Sequence, residues 1–484
     1  MLSVIPTAAV AGAYRGQDRR VRSAGAGLAF PHGSGPMSTT PPVDPAGVAP
    51  VTRGRILAWG LWDWGSAAFN TVVLTFVFSV YLTDAVGDDL PGAVSANTWL
   101  GWSLGLAGFL VAVLAPVTGQ RADAGGRRKL SLGVWTGLTV LSMIGLFWVK
   151  NDYHYLWLGL LMIGLGTIFF EFASVSYNAM LHQVSTPTNI GRVSAFGWSM
   201  GYFGGIVLLL ICYFGFIAPD VGWFGVTSQD GLNIRIIALF AGAWLAIFAI
   251  PVLLRVPEMP GLSRSKRVGF FASYRVLLRD LRQLYRESPD TVYFLGASAL
   301  FRDGLTAVFT FGAVLAVTVY GIDSADVLIF GVAANVISAI GALTAGRFDD
   351  RVGPKTVIVV SLSGMLLAGG VLLFVSGPTM FWIFGLFLCL FVGPAQSSSR
   401  TFLARLAPIG QEGQLFGLYA TSGRAASFIA PTLFGLFGYL FGTDRAGIIG
   451  ILLVLGAGLL ALLPVRPPVL AAAPVAAHIP LGSD

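Results

Sequence analysis

Six ionisable side chains lie inside long apolar runs of this chain: Asp63, Glu171, Arg302, Asp303, Arg400 and Arg424. A charge in hydrocarbon costs about 2.5 to 3.5 kcal/mol on insertion scales, so residues kept there are expected to meet a proton, an ion or a ligand. Three acids balance three bases. That set suits a small zwitterion, whose carboxylate seeks a guanidinium and whose ammonium seeks an acid.

Each position carries a plainer alternative. Asp63 sits about 13 Å into its run at 1.5 Å per residue, with Trp62 and Trp64 projecting to other sides. It is either a proton carrier or an acid paired to a neighbouring helix to fix packing. Glu171 and Asn178, seven apart, share one helix face; the alternative is a structural Glu satisfied by an Arg. Arg302 and Asp303 are adjacent, so their side chains point about 100° apart and only one faces a site squarely. Arg302 is favoured as the anion-holding group with Asp303 paired to another helix, and the reverse stays open. Gln396 and Arg400 are four apart on one face, but Arg400 lies about 30 Å along its run, where snorkelling to headgroups is the alternative. Arg424 sits mid-run, five residues after Tyr419, and requires a carboxylate from the protein or from a ligand. Trp62, Trp64, Tyr177, Tyr202 and Tyr419 are candidate pocket walls, although most aromatic residues in such runs serve packing or interface anchoring.

The elements that must position these groups are membrane spans. Of 484 residues, 55% are hydrophobic and 11% charged, with a mean hydropathy of +0.77; ordinary soluble chains are about a quarter charged. Runs of about 20 apolar residues cross a ~30 Å hydrocarbon core. Twelve such runs stand near 55-82, 97-118, 130-149, 155-181, 193-218, 234-254, 291-319, 325-345, 356-375, 379-403, 414-440 and 446-463. The fold class expected is an all-α membrane protein of twelve transmembrane helices. Lysine and arginine are retained on the cytoplasmic side of short loops. With both termini cytoplasmic, 24 of the 30 basic residues fall inside, Lys150, Arg235 and Arg445 fall outside, and three lie within spans.

The expected organisation is a disordered tail over 1-50, a six-helix bundle over 51-255, a linker over 256-290, a second six-helix bundle over 291-465, and a disordered tail over 466-484. The apolar start lacks a preceding positive stretch, so no cleaved signal peptide is expected. Met37 precedes a more usual short polar lead and is a candidate start. In the linker, Tyr274, Leu277, Leu278, Leu281, Leu284 and Tyr285 recur at helical spacing among seven basic residues, the pattern of an amphipathic helix on the cytoplasmic membrane surface. A solvated linker is the alternative.

The chain repeats itself. Gly119, Asp123, Gly126 and Arg128 after the second run match Gly346, Asp350, Gly353 and Lys355 after the eighth, at an offset of 227. Gly191 and Gly201 match Gly413 and Gly423 at an offset of 222, which also equates Asn178 with Arg400. Glycines permit a tight turn and close helix approach, and the Asp can cap or pair. This doubled loop resembles the signature loop of the major facilitator superfamily. The resemblance implies two six-helix bundles, with spans 1, 4, 7 and 10 lining a central cavity. It also implies that Gly119, Asp123, Gly126, Arg127, Gly346, Asp350 and Gly353 act in conformational gating.

A narrower likeness rests on the run from Trp62 through Phe69, on Glu171 through Leu181, on Gly201 through Gly205, on Gly393 through Arg400, and on Phe416 through Tyr419 with Gly423 and Arg424. Together these resemble the vacuolar effluxer branch, whose eukaryotic members export amino acids from the vacuole. Ser66 stands where that family commonly carries Asn, and Arg424 where it often carries Lys. The function implied is secondary active transport of an amino acid or similar zwitterion by alternating access, with proton coupling open. A lipid or lysolipid flippase on the same fold and a non-transporting sensor are the alternatives.

No His-Glu-x-x-His, nucleophile elbow or phosphate loop occurs, so enzyme chemistry and ATP-driven pumping are not expected. Cys212 and Cys389 both lie in apolar runs, which argues against a disulfide framework or metal site. No cofactor, metal or nucleic-acid partner is expected; the expected partners are the bilayer, a small solute and protons, with the chain a monomer. The 26 Arg against 4 Lys, with abundant Ala and Gly, fit a GC-rich bacterium and its inner membrane.

Overall fold

The computed structural model describes residues 51–258, 270–408 and 410–467. The expected tail over 1-50, the expected tail beyond residue 467, and the 259–269 part of the linker lie outside the described residues. Twelve helices are long and apolar enough to cross a membrane. They are span 1 (Arg53–Val86), span 2 (Ala96–Gly125), span 3 (Arg128–Trp148), span 4 (Tyr153–Ala179), span 5 (Ile190–Ile217) and span 6 (Gln229–Arg255), followed by span 7 (Pro289–Thr318), span 8 (Ile329–Val352), span 9 (Pro354–Leu372), span 10 (Pro378–Leu406), span 11 (Glu412–Phe441) and span 12 (Asp444–Leu462). Hydrocarbon leaves backbone groups no outside partner, so these apolar runs close their hydrogen bonds internally as helices. Proline opens spans 7, 9 and 10 in the first turn, where its missing N–H costs nothing. Gly126 closes span 2 in the left-handed conformation at φ 59°.

The packing restates the sequence repeat in three dimensions. Span 1 packs on 5 and 6, span 2 on 4, and span 3 on 4 and 6; span 7 packs on 11 and 12, span 8 on 10, and span 9 on 10 and 12. Adding six to each member of the first set generates the second. The contacts between halves obey the same rule: span 2 meets 11 as span 8 meets 5, and span 4 meets 11 as span 10 meets 5. Two matching bundles therefore join along two equivalent seams. We call the end carrying Arg53, Arg128, Arg192 and Arg405 the basic face.

Small residues let the seams close. A Cβ on Gly119 would collide with the Gly413 carbonyl, and one on Gly417 would stand 2.6 Å from Ala115 O. On the other seam, a Cβ on Gly346 would stand 2.6 Å from that of Ala195.

Several spans depart from regular α-helix; span 5, for one, closes in a π-helix over Tyr213–Ile217. Span 1 winds as a π-helix over Ala68–Phe76. Span 11 breaks between its two helical pieces, Glu412–Ala426 and Ile429–Phe441. The linker forms a helix over Phe270–Glu287.

Candidate functional site

Where the bundles meet near their shared axis, Arg400 leaves span 10 and enters the opposite bundle. Its Nη1 donates to Asp63 Oδ2 at 3.3 Å and to Asn178 Oδ1 at 3.2 Å, and its Nε donates to Ser194 Oγ at 3.0 Å. The Ser194 carbonyl accepts from Nη2. Asn178 and Arg400 are repeat equivalents, so their hydrogen bond lies where the two halves' matching positions converge.

Asp63 takes a second donor, the Tyr177 hydroxyl, at 2.7 Å. Trp59 and Trp62 stack on the Tyr177 ring at 4.4 and 4.3 Å between centroids, and Arg400 lies over Trp59 at 4.9 Å. Trp62 is anchored in turn through Nε1 to Thr136 Oγ1 at 3.0 Å. Gly197 leaves room for the cluster, because a Cβ there would stand 2.8 Å from Asp63 Oδ2 and 2.9 Å from Arg400 Nη2.

Snorkelling of Arg400 is overturned. Its side chain is only 5% exposed, because Asp63, Asn178 and Ser194 satisfy in place the donors that would otherwise seek headgroups.

On one seam, Arg424 of span 11 pairs with Glu171 of span 4. These side chains are 33% and 23% exposed, far more than Arg400. The equivalent place on the other seam, by the offset of 222, is Tyr202. Its hydroxyl donates to Gln396 Oε1 at 2.7 Å. Among the described residues, hydrogen bonds and ion pairs between bundles reach no farther from the basic face than these two pairs. Both Arg424 and Tyr202 stand twelve residues, about 18 Å, into their spans.

Arg302 and Asp303 take separate tasks. The Arg302 guanidinium lies 3.7 Å above the Tyr419 ring, and Nη1 donates to the Tyr419 carbonyl at 3.0 Å. Gly423 makes this approach possible, since a Cβ there would stand 3.0 Å from Nη1. The Tyr419 hydroxyl shares a 2.6 Å hydrogen bond with Ser399. Asp303 is buried and accepts from Ala430 N at 2.7 Å. It thereby satisfies a free N–H where span 11 restarts after its break. Trp64 packs away from the ion pairs, against Trp244 and Phe248.

At the basic face, each signature Asp caps a helix of the other bundle. Asp123 Oδ2 accepts from Gln414 N at 2.9 Å, at the start of span 11. Asp350 accepts from Gly191 N at 2.7 Å and Arg192 N at 3.2 Å, at the start of span 5. A carboxylate facing a helix N-terminus gains from both the free N–H groups and the macrodipole.

Ion pairs reinforce each cap: Arg128 bridges Asp123 and Glu412, and Arg192 Nε lies 2.9 Å from Asp350 Oδ2. The expectation that Arg127 belongs to this gate is corrected. Arg127 is exposed, and the next residue, Arg128, occupies the seam, because the left-handed turn at Gly126 aims Arg128 inward as span 3 begins. Gly353 precedes span 9 at φ 88°, a turn position that favours glycine. His182 lies within reach of the Glu412 and Arg128 charges, and its buried Nδ1 has no partner. Burial holds its imidazole below the usual histidine value, with Glu412 pulling it up and Arg128 pushing it down.

Sequence reasoning missed Trp59, Ser194, Gly197, Arg128 as a gate residue, and Glu412. Trp59 and Ser194 are ordinary span residues in composition. Arg128 and Glu412 sit at span ends, where charge needs no special reason. The usable signal was the offset of 222: extended to Gln414 and Arg192, it would have pointed to matched partners for Asp123 and Asp350.

Comparison with known proteins places the geometry in a group. Residues 90–467 match a family model described as vacuole effluxer Atg22 like. The chain is similar to the uncharacterized MFS-type transporter YxiO of Bacillus subtilis, 26% identical, with 84% of this chain and 94% of that protein covered. Similarity to autophagy-related protein 22-1 of Aspergillus fumigatus is 27% over 53% of this chain and 44% of that protein. The chain thus spans less than half of that fungal relative.

Among solved structures, the proton:xylose symporter XylE superposes with a TM-score of 0.66 at 15% identity, covering 85% of this chain and 94% of that one. The human organic anion transporter MFSD10 gives 0.66 at 16%, covering 86% and 100%. Both show the shared twelve-helix fold.

Proposed function

The chain belongs to the vacuole effluxer Atg22-like family, and from that premise we propose that it exports a small zwitterion, with an amino acid as first candidate, by alternating access. It is a multi-pass membrane transporter of the major facilitator kind. The observation that carries the finer reading is the Glu171–Arg424 pair: opposite charges on opposite bundles, partly exposed, at the deepest level of hydrogen bonding between the bundles among the described residues. A zwitterion can replace that pair with two of its own, placing its ammonium at Glu171 and its carboxylate at Arg424. Arg302, held over Tyr419 nearby on span 7, supplies a second guanidinium.

The concentration of basic residues supports placing the basic face in the cytoplasm of a bacterial inner membrane. On that placement the face closed by the Asp123 and Asp350 caps is the inner one. Rocking the bundles to open the inner face must break both caps and both seams. Proton coupling has a simple form here: a proton on Glu171 removes its charge and releases Arg424 much as a substrate ammonium does. Asp63, joined to Arg400 and Tyr177, holds the axis and is a second candidate carrier.

The test is counterflow in proteoliposomes with labelled amino acids. The reading requires saturable exchange of at least one zwitterion by the native chain and its loss in Arg424→Gln. Exchange confined to lysolipids, or zwitterion exchange unchanged in that variant, overturns it.

A further inference from the structure

The linker helix, Phe270–Glu287, carries Arg275, Arg279, Arg282 and Arg286 at spacings of four, three and four. At 100° and 1.5 Å per residue these fall within an arc of about 60° along about 16 Å. All four are exposed. Arg279 has a 3.5 Å contact with its neighbour Asp280, and the other three form no ion pair among the described residues. The stripe is therefore a row of exposed donors, three of them outside any ion pair among the described residues, on the side of the helix turned from the protein.

The opposite side is engaged with both bundles. Tyr274 donates to the Val113 carbonyl of span 2 at 2.9 Å, and Gln414 of span 11 contacts Asp280 at 3.5 Å. Leu281 and Leu284 face Pro408, Leu415 and Leu418 across a narrow gap. The helix thus straps the seam between spans 2 and 11 at the level where Gln414 N is capped by Asp123. Beside the arginines, Leu278 is 58% exposed, and Tyr285 and Tyr293 are 52% and 55% exposed. Span 7 begins two residues after the helix ends, which fixes the stripe at the bilayer boundary.

We propose that this arginine stripe binds the phosphate headgroups of anionic phospholipid, and that this binding holds the strap against the closed seam. Three features favour a lipid surface over a soluble acidic protein. The row matches a plane of phosphates, exposed apolar and aromatic groups flank it on one side, and chain continuity with span 7 keeps it beside the headgroups. Each juxtamembrane basic residue is worth about a fivefold preference for an anionic surface.

The experiment uses the full chain in nanodiscs of phosphatidylcholine alone or mixed with phosphatidylglycerol. It reads the unfolding temperature and the amide exchange of the 274–287 segment. Phosphatidylglycerol is expected to raise the first and slow the second. The quadruple variant Arg275→Gln, Arg279→Gln, Arg282→Gln, Arg286→Gln should lose both responses while matching the native chain in phosphatidylcholine. The corresponding quadruple Lys variant should keep them, which separates charge from misfolding. Three results overturn the proposal: a native chain indifferent to the lipid, a Gln variant that still responds, or inorganic phosphate or an acidic soluble protein reproducing the effect without anionic lipid.

Discussion

The two seams are alike at the basic face and unlike at mid-depth. At the face, Asp123 and Asp350 perform the same act on spans 11 and 5, at positions related by the repeat. About 18 Å deeper the correspondence fails: one seam is joined by Glu171 and Arg424, the other by Tyr202 and Gln396. An ion pair and a neutral hydrogen bond respond differently to a charged solute. Ammonium and carboxylate groups can compete for the first pair, whereas they gain little from the second. The repeat keeps the caps and lets the middle differ, and the proposed function accordingly gives closing to the symmetric parts and recognition to the asymmetric part.

The largest effect is expected on the axis, where the seams converge. Arg400→Gln leaves Asp63 with the Tyr177 hydroxyl and no counter-charge. Removing one partner of a buried pair costs about 3–5 kcal/mol, which a marked fall in unfolding temperature would report. Adding Asp63→Asn should recover most of the loss, since two neutral groups can then share the site; a double variant no better than the single would show that the pair is not coupled.

Next comes the contrast at mid-depth. Glu171→Gln should lower zwitterion exchange by at least tenfold, on the order of one hydrogen bond to a charged group. Tyr202→Phe should change it by less than threefold under the same conditions. Equal losses would erase the proposed division of labour between the seams.

How far the sequence could carry this reading is itself uneven. Twelve spans follow from run length alone, because the bilayer sets both length and apolarity. The doubled loop located Asp123 and Asp350, since repetition at a fixed offset survives independent drift of each half. Which intramembrane charges meet each other was not legible, because pairing depends on how the bundles lean together. Glu171 could have faced Arg302, Arg400 or Arg424, and only the packing of span 4 on span 11 decides. Asp303 is the sharpest instance. Its task is set by the break in span 11, which Pro431 marks by leaving the Ser427 carbonyl without a donor, but nothing in the sequence says which acid meets the N–H groups freed there.

The matched gate gives the next prediction, smaller and symmetric. Asp123→Asn and Asp350→Asn each weaken a charge-assisted helix cap while keeping an acceptor oxygen, a loss of about 1 kcal/mol. Amide exchange at Gln414 should rise in the first variant and at Gly191 in the second, by about fivefold each. A response confined to one of them would mean that only one end opens, against the equivalence of the seams.

The smallest effect tests where the ends themselves differ. Asp350 has no histidine assigned to its surroundings by the repeat, whereas the Asp123 gate includes His182 beside Glu412 and Arg128. Burial in the closed state depresses the His182 value, so the closed state favours the neutral ring. Opening the seam restores hydration and a value of about 6.5. The contribution to closure is therefore complete above that pH and declines as pH falls through it, until the closed-state value is also passed. Glu412 opposes the depression and Arg128 adds to it, which keeps the effect modest. Measured against the intrinsic amide rate, which itself falls on acidification, Gln414 should lose protection as the pH drops from neutral while Gly191 does not, and His182→Gln should abolish the difference. If both ends lose protection together, or the Gln variant keeps the response, protonation acts elsewhere and the two ends are alike in chemistry as well as in geometry.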